Sequence, residues 1–179
     1  MITETVRETR FASESVAEPR RICFVCTGNT CRSPMAAAVA NAMASKMIGA
    51  LPEAVRDSAV PQVLAYSAGL YASNGEPIAA NAVKALELAG VEPTSDTDYH
   101  NHTAHTLTTE EIEGYDLLVG LGGSHVMELL MRYPQAAQKI AGMPQSISDP
   151  WGGDLDGYVV CLDEITRGVQ ELLFSGRPV

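Results

Sequence analysis

The chain has 179 residues, 46% of them apolar and 19% charged, a balance that excludes disorder and fits one domain able to bury a core without disulfide or metal staples. Twelve basic against twenty-two acidic residues give a net charge of −10, which argues against non-specific nucleic-acid binding and against docking to anionic membranes; any anion site has to be built locally. No apolar run approaches the ~20 residues of a membrane span, and four cysteines, three of them within nine residues, are not a secreted disulfide framework, so a cytoplasmic protein is expected.

Residues 1–20 are polar and carry no sustained period. They read as a poorly ordered extension before a domain spanning 21–179, with a short docked helix as the alternative, and without an apolar h-region they are not expected to be a signal peptide. Ile22 to Val25 is a short apolar run bounded by a glycine-containing loop, the pattern of a buried strand. From Pro34 to about Met47 alanine and methionine predict a helix, with Ser33 as N-cap and Pro34 at the first helical position. Val63 to Ser67 predicts a second strand. Pro77 to Ala89 predicts a helix with Ile78, Ala82, Val83, Leu86 and Ala89 on one face, ended by Gly90. Thr108 and Glu111 form a capping box. Asp116 to Leu121 predicts a third strand, Ser124 to Tyr133 a helix, and Lys139 to Met143 a fourth strand. A Gly/Asp/Pro loop over 144–157 leads to a last helix from Tyr158 to Phe174, with Leu162, Ile165, Val169 and Leu172 at helical spacing. Strands alternating with helices predict an α/β fold, a parallel sheet covered on both faces.

The run Cys26-Thr27-Gly28-Asn29-Thr30-Cys31-Arg32-Ser33-Pro34 lies between the first strand and the first helix. In an open α/β sheet ligands bind at that end of a strand. Successive backbone N–H groups in a tight turn make a nest for an oxyanion, and the helix dipole adds positive potential. Gly28 lets the backbone approach closely, and Arg32 can swing back to clamp two oxygens with its guanidinium fork. The same nest stabilises a thiolate at Cys26. A glycine turn with two buried cysteines is the plainer reading, but it explains neither the arginine nor the strand–loop–helix setting.

The stretch from Val25 to Pro34 closely resembles the signature of low-molecular-weight protein-tyrosine phosphatases. The resemblance continues through Ser67-Ala68-Gly69, the stretch from His102 to Thr108, and Asp149-Pro150, and covers roughly 21–174. It implies a three-layer α/β/α fold with a four-stranded parallel sheet and a phosphate-binding loop after the first strand. It also implies a two-step reaction through a phosphocysteine, a phosphorylated protein as substrate, and no metal or other cofactor. Cys26 is then the nucleophile. Arg32 and the N–H groups of Thr27, Gly28, Asn29, Thr30, Cys31 and Ser33 hold the phosphoryl oxygens. Asn29 braces the loop, Ser33 serves the departing thiolate, and Ser67 and His102 buttress from behind. By themselves Asp149, Asp154 and Asp156 are three equivalent loop aspartates; the resemblance singles out Asp149 as general acid. Trp151 reads as a stacking wall for a flat group, thinner than the two consecutive aromatics of many tyrosine-specific members because Gly152 follows it. Tyr71 reads either as a second wall or as rim packing.

Other chemistries fit less well. Cys23-x-x-Cys26 with His100, His102 and His105 has the residue types of a zinc site, yet a three-residue offset along a strand sends the two thiols to opposite faces. Gly120-Leu-Gly-Gly-Ser-His125 resembles a dinucleotide fingerprint, but His125 stands at its third glycine position. Cys161 reads as a small buried hydrophobe. Thioredoxin-coupled arsenate reductases share a Cys-x5-Arg loop but need further cysteines, and none lies between 32 and 160. Within the family that the chain resembles, phosphotyrosine is the first expectation. Phosphoarginine is the alternative, because Thr30 stands where tyrosine phosphatases of this kind usually carry a bulky aliphatic residue, as it does in bacterial protein-arginine phosphatases.

Overall fold

The computed structural model describes residues 18–56, 63–95 and 97–174. The expectation for the extension lies outside the described residues over 1–17, and Arg20 already belongs to the first strand. Four strands, β1 (Arg20–Cys26), β2 (Val63–Gly69), β3 (Leu117–Gly120) and β4 (Ile140–Gly142), form one sheet in the order β2-β1-β3-β4. Every pairing is parallel. β1 is central, with Cys26 beside Gly69 of β2 and Val25 beside Gly120 of β3.

The alternation of β1 creates two cores. Ile22, Phe24 and Cys26 face one layer, where they meet α1 (Arg32–Gly49), α3 (Ala80–Leu88) and α6 (Leu155–Phe174). Cys23 and Val25 face the other, with Ile112 of α4 (Thr109–Glu113) and Leu129 of α5 (Gly123–Arg132). All five residues are at most 3% exposed, so the strand is covered on both faces, as its unbroken apolar run requires. The offset argument for the cysteines therefore holds: Cys23 and Cys26 lie in different layers and cannot share one ion. A short helix α2 (Glu53–Arg56) and 3₁₀ turns at Tyr99–Asn101 and Pro134–Lys139 complete the described chain. Among the described residues no helix is long and apolar enough to cross a membrane.

Several boundaries differ from expectation. Ser33 is not the N-cap of α1: the cap is Cys31, without a side-chain bond, and Ser33 lies inside the helix with its hydroxyl drawn to the loop and to Ala68. α3 begins at Ala80 because Pro77 bridges to Thr103 and Ala79 donates its N–H to the Thr30 carbonyl at 2.8 Å, which ties 77–79 to neighbouring loops. On that helix Ala85, not Ala89, joins Ala82 and Leu86 in the core. Gly90 does end it, at φ +65°, and the Thr108–Glu111 capping box forms as read. α6 starts about a turn early, at Leu155, because the Asp154 carboxylate accepts from the Gly157 N–H and caps it.

Candidate active site

The loop after β1 and the start of α1 wrap one end of a cleft of about 310 Å³. Cys26, Thr27, Gly28, Thr30, Cys31 and Arg32 line it from the loop; Tyr71, Asp149 and Trp151 line it from outside, with Ser73 and Glu76. The sequence-predicted nucleophile, clamp, acid and both proposed walls thus meet in one place. Asn29 belongs to the loop without lining the cleft, and Ser33, Ser67 and His102 bond to it from behind.

The loop's polarity follows from its carbonyls. Cys26 O accepts from Leu70 N–H, Thr27 O from Tyr71 N–H, Thr30 O from Ala79 N–H and Cys31 O from Met35 N–H. Asn29 O lies 2.8 Å from His102 Nε2, which must donate because a carbonyl can only accept. In a trans peptide the N–H points opposite to the C=O. Turning the carbonyls outward therefore turns the intervening N–H groups inward, and the cleft becomes an oxyanion nest without a lysine in its wall.

Asn29 is the keystone. It takes φ +57°, a left-handed value that asparagine tolerates better than most residues. Its Nδ2 donates to Ser33 Oγ at 3.0 Å and to Ser67 Oγ at 2.9 Å, and its Oδ1 accepts from the His105 N–H at 3.0 Å. The Ser67-Ala68-Gly69 motif supplies this support: Ser67 holds Asn29, Ala68 O accepts from the Ser33 hydroxyl, and Gly69 leaves room. A Cβ on Gly69 would lie 2.8 Å from Thr27 O and 3.2 Å from Asn29 Cβ, so the loop closes over a backbone that only glycine allows.

Cys26 Sγ lies 3.1 Å from Ser33 Oγ. The serine has one proton to give. With a thiol at Cys26 it goes to Ala68 O while S–H donates to Oγ; with a thiolate, O–H turns to sulfur. Arg32 Nη2 donates to Asp149 Oδ2 at 2.7 Å, with the arginine side chain 11% exposed and the aspartate 54%. Asp149 Oδ1 also accepts from the Trp151 N–H at 3.2 Å. Gly152 turns at φ +75°, so an aromatic residue there would be strained, and Trp151 stands alone at 78% exposure. Cys31 Sγ lies 3.2 Å from the Tyr158 hydroxyl. Burial pushes the Cys161 thiol up to about 12 and the Cys23 thiol higher still, so both stay protonated.

Two contacts had no signal in the sequence. Tyr158 reaches Cys31 from α6. His125, 4% exposed at the start of α5, places Nε2 3.0 Å from Thr27 Oγ1, next to the nucleophile and 98 positions away in the chain. Desolvation, and then Arg32, hold the His125 pKa below its ordinary 6.5; burial, and then nearby His105, lower that of His102 against the Asn29 hydrogen bond. Both histidines thus bind fewer protons folded than unfolded, so stability is complete above about pH 6.5 and falls as pH drops below it. The thermal midpoint is expected to decline from about pH 7 to pH 5.5, above the range where ordinary carboxylates titrate. His125→Gln should flatten that slope; an unchanged slope in this variant would remove His125 from the account.

Comparison with known proteins gives a consistent picture. A family model described as low molecular weight phosphotyrosine protein phosphatase matches residues 21–176. A protein-arginine-phosphatase of Geobacillus stearothermophilus is 30% identical over 161 residues, covering 86% of this chain and 94% of its own. A low molecular weight protein-tyrosine-phosphatase of Streptomyces coelicolor is 31% identical over 173 residues, covering 88% and 93%. The crystal structure of a low molecular weight protein tyrosine phosphatase from T. tengcongensis superposes with a TM-score of 0.71 at 33% identity, over 86% of this chain and 97% of that one.

Proposed function

The chain belongs to the low molecular weight phosphotyrosine protein phosphatase family and is a cysteine-dependent protein phosphatase; from that premise we propose that it hydrolyses phosphotyrosine in proteins through a phosphocysteine at Cys26. The observation that carries this reading is the convergence of Cys26, Arg32 and Asp149 on one cleft, in a loop whose Cys26, Thr27, Asn29, Thr30 and Cys31 carbonyls are held by hydrogen bonds to neighbouring segments. The aromatic rings of Tyr71 and Trp151 at its mouth suit a flat phenolic group.

In the first step the Cys26 thiolate attacks phosphorus in line. The S–P bond forms as the P–O bond to the phenol breaks, and Asp149 gives its proton to the departing oxygen. The loop N–H groups and Arg32 hold the equatorial oxygens, where the transition state keeps its charge. To do so Arg32 leaves Asp149, the incoming dianion takes the carboxylate's place on the guanidinium, and the freed carboxylate takes from solvent the proton that it gives to the leaving oxygen. In the second step the Asp149 carboxylate takes a proton from water, the water oxygen attacks phosphorus, and Cys26 leaves as a thiolate that receives the Ser33 O–H.

A second reading rests on Thr30. Thr30 lines the cleft together with Asp149 and Glu76. A phosphorylated guanidinium brings N–H donors that need acceptors on burial, and the threonine hydroxyl is one. Peptides carrying phosphotyrosine and phosphoarginine are to be compared by kcat/KM. Losing one hydrogen bond to a charged group costs ~1.5–3 kcal/mol, or roughly 10–150-fold in rate. Thr30→Ile should therefore shift the ratio toward phosphotyrosine by about that factor if phosphoarginine is a substrate. No turnover of phosphoarginine by the wild type discards the second reading. A wild-type preference for phosphoarginine over phosphotyrosine, abolished by Thr30→Ile, would make it the first.

A further inference from the structure

Tyr71 is 62% exposed, yet its ring is held from several sides. Its hydroxyl donates to Glu128 Oε1 at 2.7 Å. The Arg132 guanidinium carbon lies 4.2 Å from the ring centroid. Arg132 Nε donates to the same Glu128 oxygen at 2.6 Å, and Nη1 donates to Leu70 O at 2.9 Å. The Tyr71 N–H donates to Thr27 O, so the same residue is tied to the phosphate loop. Glu128 and Arg132 stand at i and i+4 on α5, where one turn puts them on one face. The hydroxyl of Tyr71 first, and Arg132 next, hold the Glu128 carboxyl below the usual carboxylate range, so the acceptor stays ionised. Tyr71 lines the cleft; Glu128 and Arg132 do not.

We propose that Glu128 and Arg132 are positioning residues that fix the Tyr71 ring as one wall for the planar leaving group of the substrate. The proposal rests on the reading of Tyr71 as a wall. A ring free to rotate at the surface loses that freedom when a substrate stacks on it; a ring already fixed does not. The guanidinium covers one ring face, which leaves the other as the face a substrate group can meet. The clamp is anchored on α5 and meets the loop's support only where Arg132 bonds the Leu70 carbonyl; the Tyr71 N–H bond to Thr27 is a backbone bond that does not need the ring to be held.

The test separates the two parts of the substrate. KM for a phosphotyrosine peptide reads cradle and wall together; the inhibition constant of inorganic phosphate reads the cradle alone. Glu128→Ala and Arg132→Met should each raise KM about three- to tenfold, the cost of freeing one side-chain rotor. The phosphate constant should not move, and Glu128→Gln, which keeps the acceptor, should restore most of the loss. In a Tyr71→Ala background neither change should raise KM further. If Tyr71→Ala leaves KM unchanged, the wall reading fails and the clamp with it. If Tyr71→Ala raises KM but Glu128→Ala and Arg132→Met do not, the wall stands and the clamp is wrong. A parallel rise in the phosphate constant would make the pair a structural support of the loop, and also overturns the proposal.

Discussion

Cys26→Ser is expected to lose turnover by on the order of 10⁶-fold, the cost of removing a nucleophile from a group of residues that acts as a unit. Its affinity for inorganic phosphate should survive, because the cradle is made of backbone N–H groups and Arg32. Neither depends on the sulfur: the loop carbonyls are held by Leu70, Tyr71, His102, Ala79 and Met35, and Asn29 is held by Ser33, Ser67 and His105. Steady-state rates and a calorimetric phosphate titration on the same preparation check both halves. Substantial hydrolysis by the variant would dismiss the phosphocysteine route. Lost phosphate affinity would show instead that the sulfur helps to shape the loop.

Asp149→Asn should act with opposite signs on rate and binding. With poor leaving groups the rate should fall by ~10²–10⁴-fold, the usual span of general acid catalysis, and the loss should shrink as the leaving group becomes more acidic. Binding should tighten. Arg32 spends its Nη2 on Asp149 at 2.7 Å, and a phosphate has to displace that carboxylate and sit beside its charge. The aspartate side chain is 54% exposed, so solvent screens the pair, and the gain is about 1.5- to 5-fold in the phosphate inhibition constant. An equal rate loss across all leaving groups would take the acid role from Asp149. Unchanged phosphate binding would mean that the ion pair does not compete with the ligand.

Local chemistry was legible in the chain. The apolar run of β1, the Thr108–Glu111 box and the Gly90 stop each depend on residues a few positions apart, and each stands where the sequence puts it; the loop after β1 is there too, but shorter, since Cys26 ends the strand and Arg32 already opens α1. Ser33 shows where that reading ends. Serine before proline is a good N-cap, but here Asn29, Ala68 and Cys26 all draw on the hydroxyl, and Ala68 lies 35 positions away. Asp154 was seen as a loop aspartate and turned out to cap α6, because Gly157 gives no side-chain sign that it is a helix residue. His125 and Thr27, or Tyr71 and Glu128, meet only because α5 packs beside the end of β1 and the loop after β2. No periodicity records such a meeting. The resemblance to a family named the front of the site; the helices that press on it from behind became visible only with the fold.

The bracing of Asn29 has a consequence in time. An anion-binding loop that assembles around its ligand makes the ligand wait for the backbone, and binding then slows to the rate of that rearrangement. Here the backbone conformation is set beforehand by a left-handed asparagine with three side-chain bonds. What has to part is the Arg32–Asp149 pair, and its Asp149 side chain is 54% exposed; exposed side chains rotate in picoseconds to nanoseconds. Phosphate should thus enter in a single phase whose rate rises in proportion to its concentration, with no plateau from a slower loop closure.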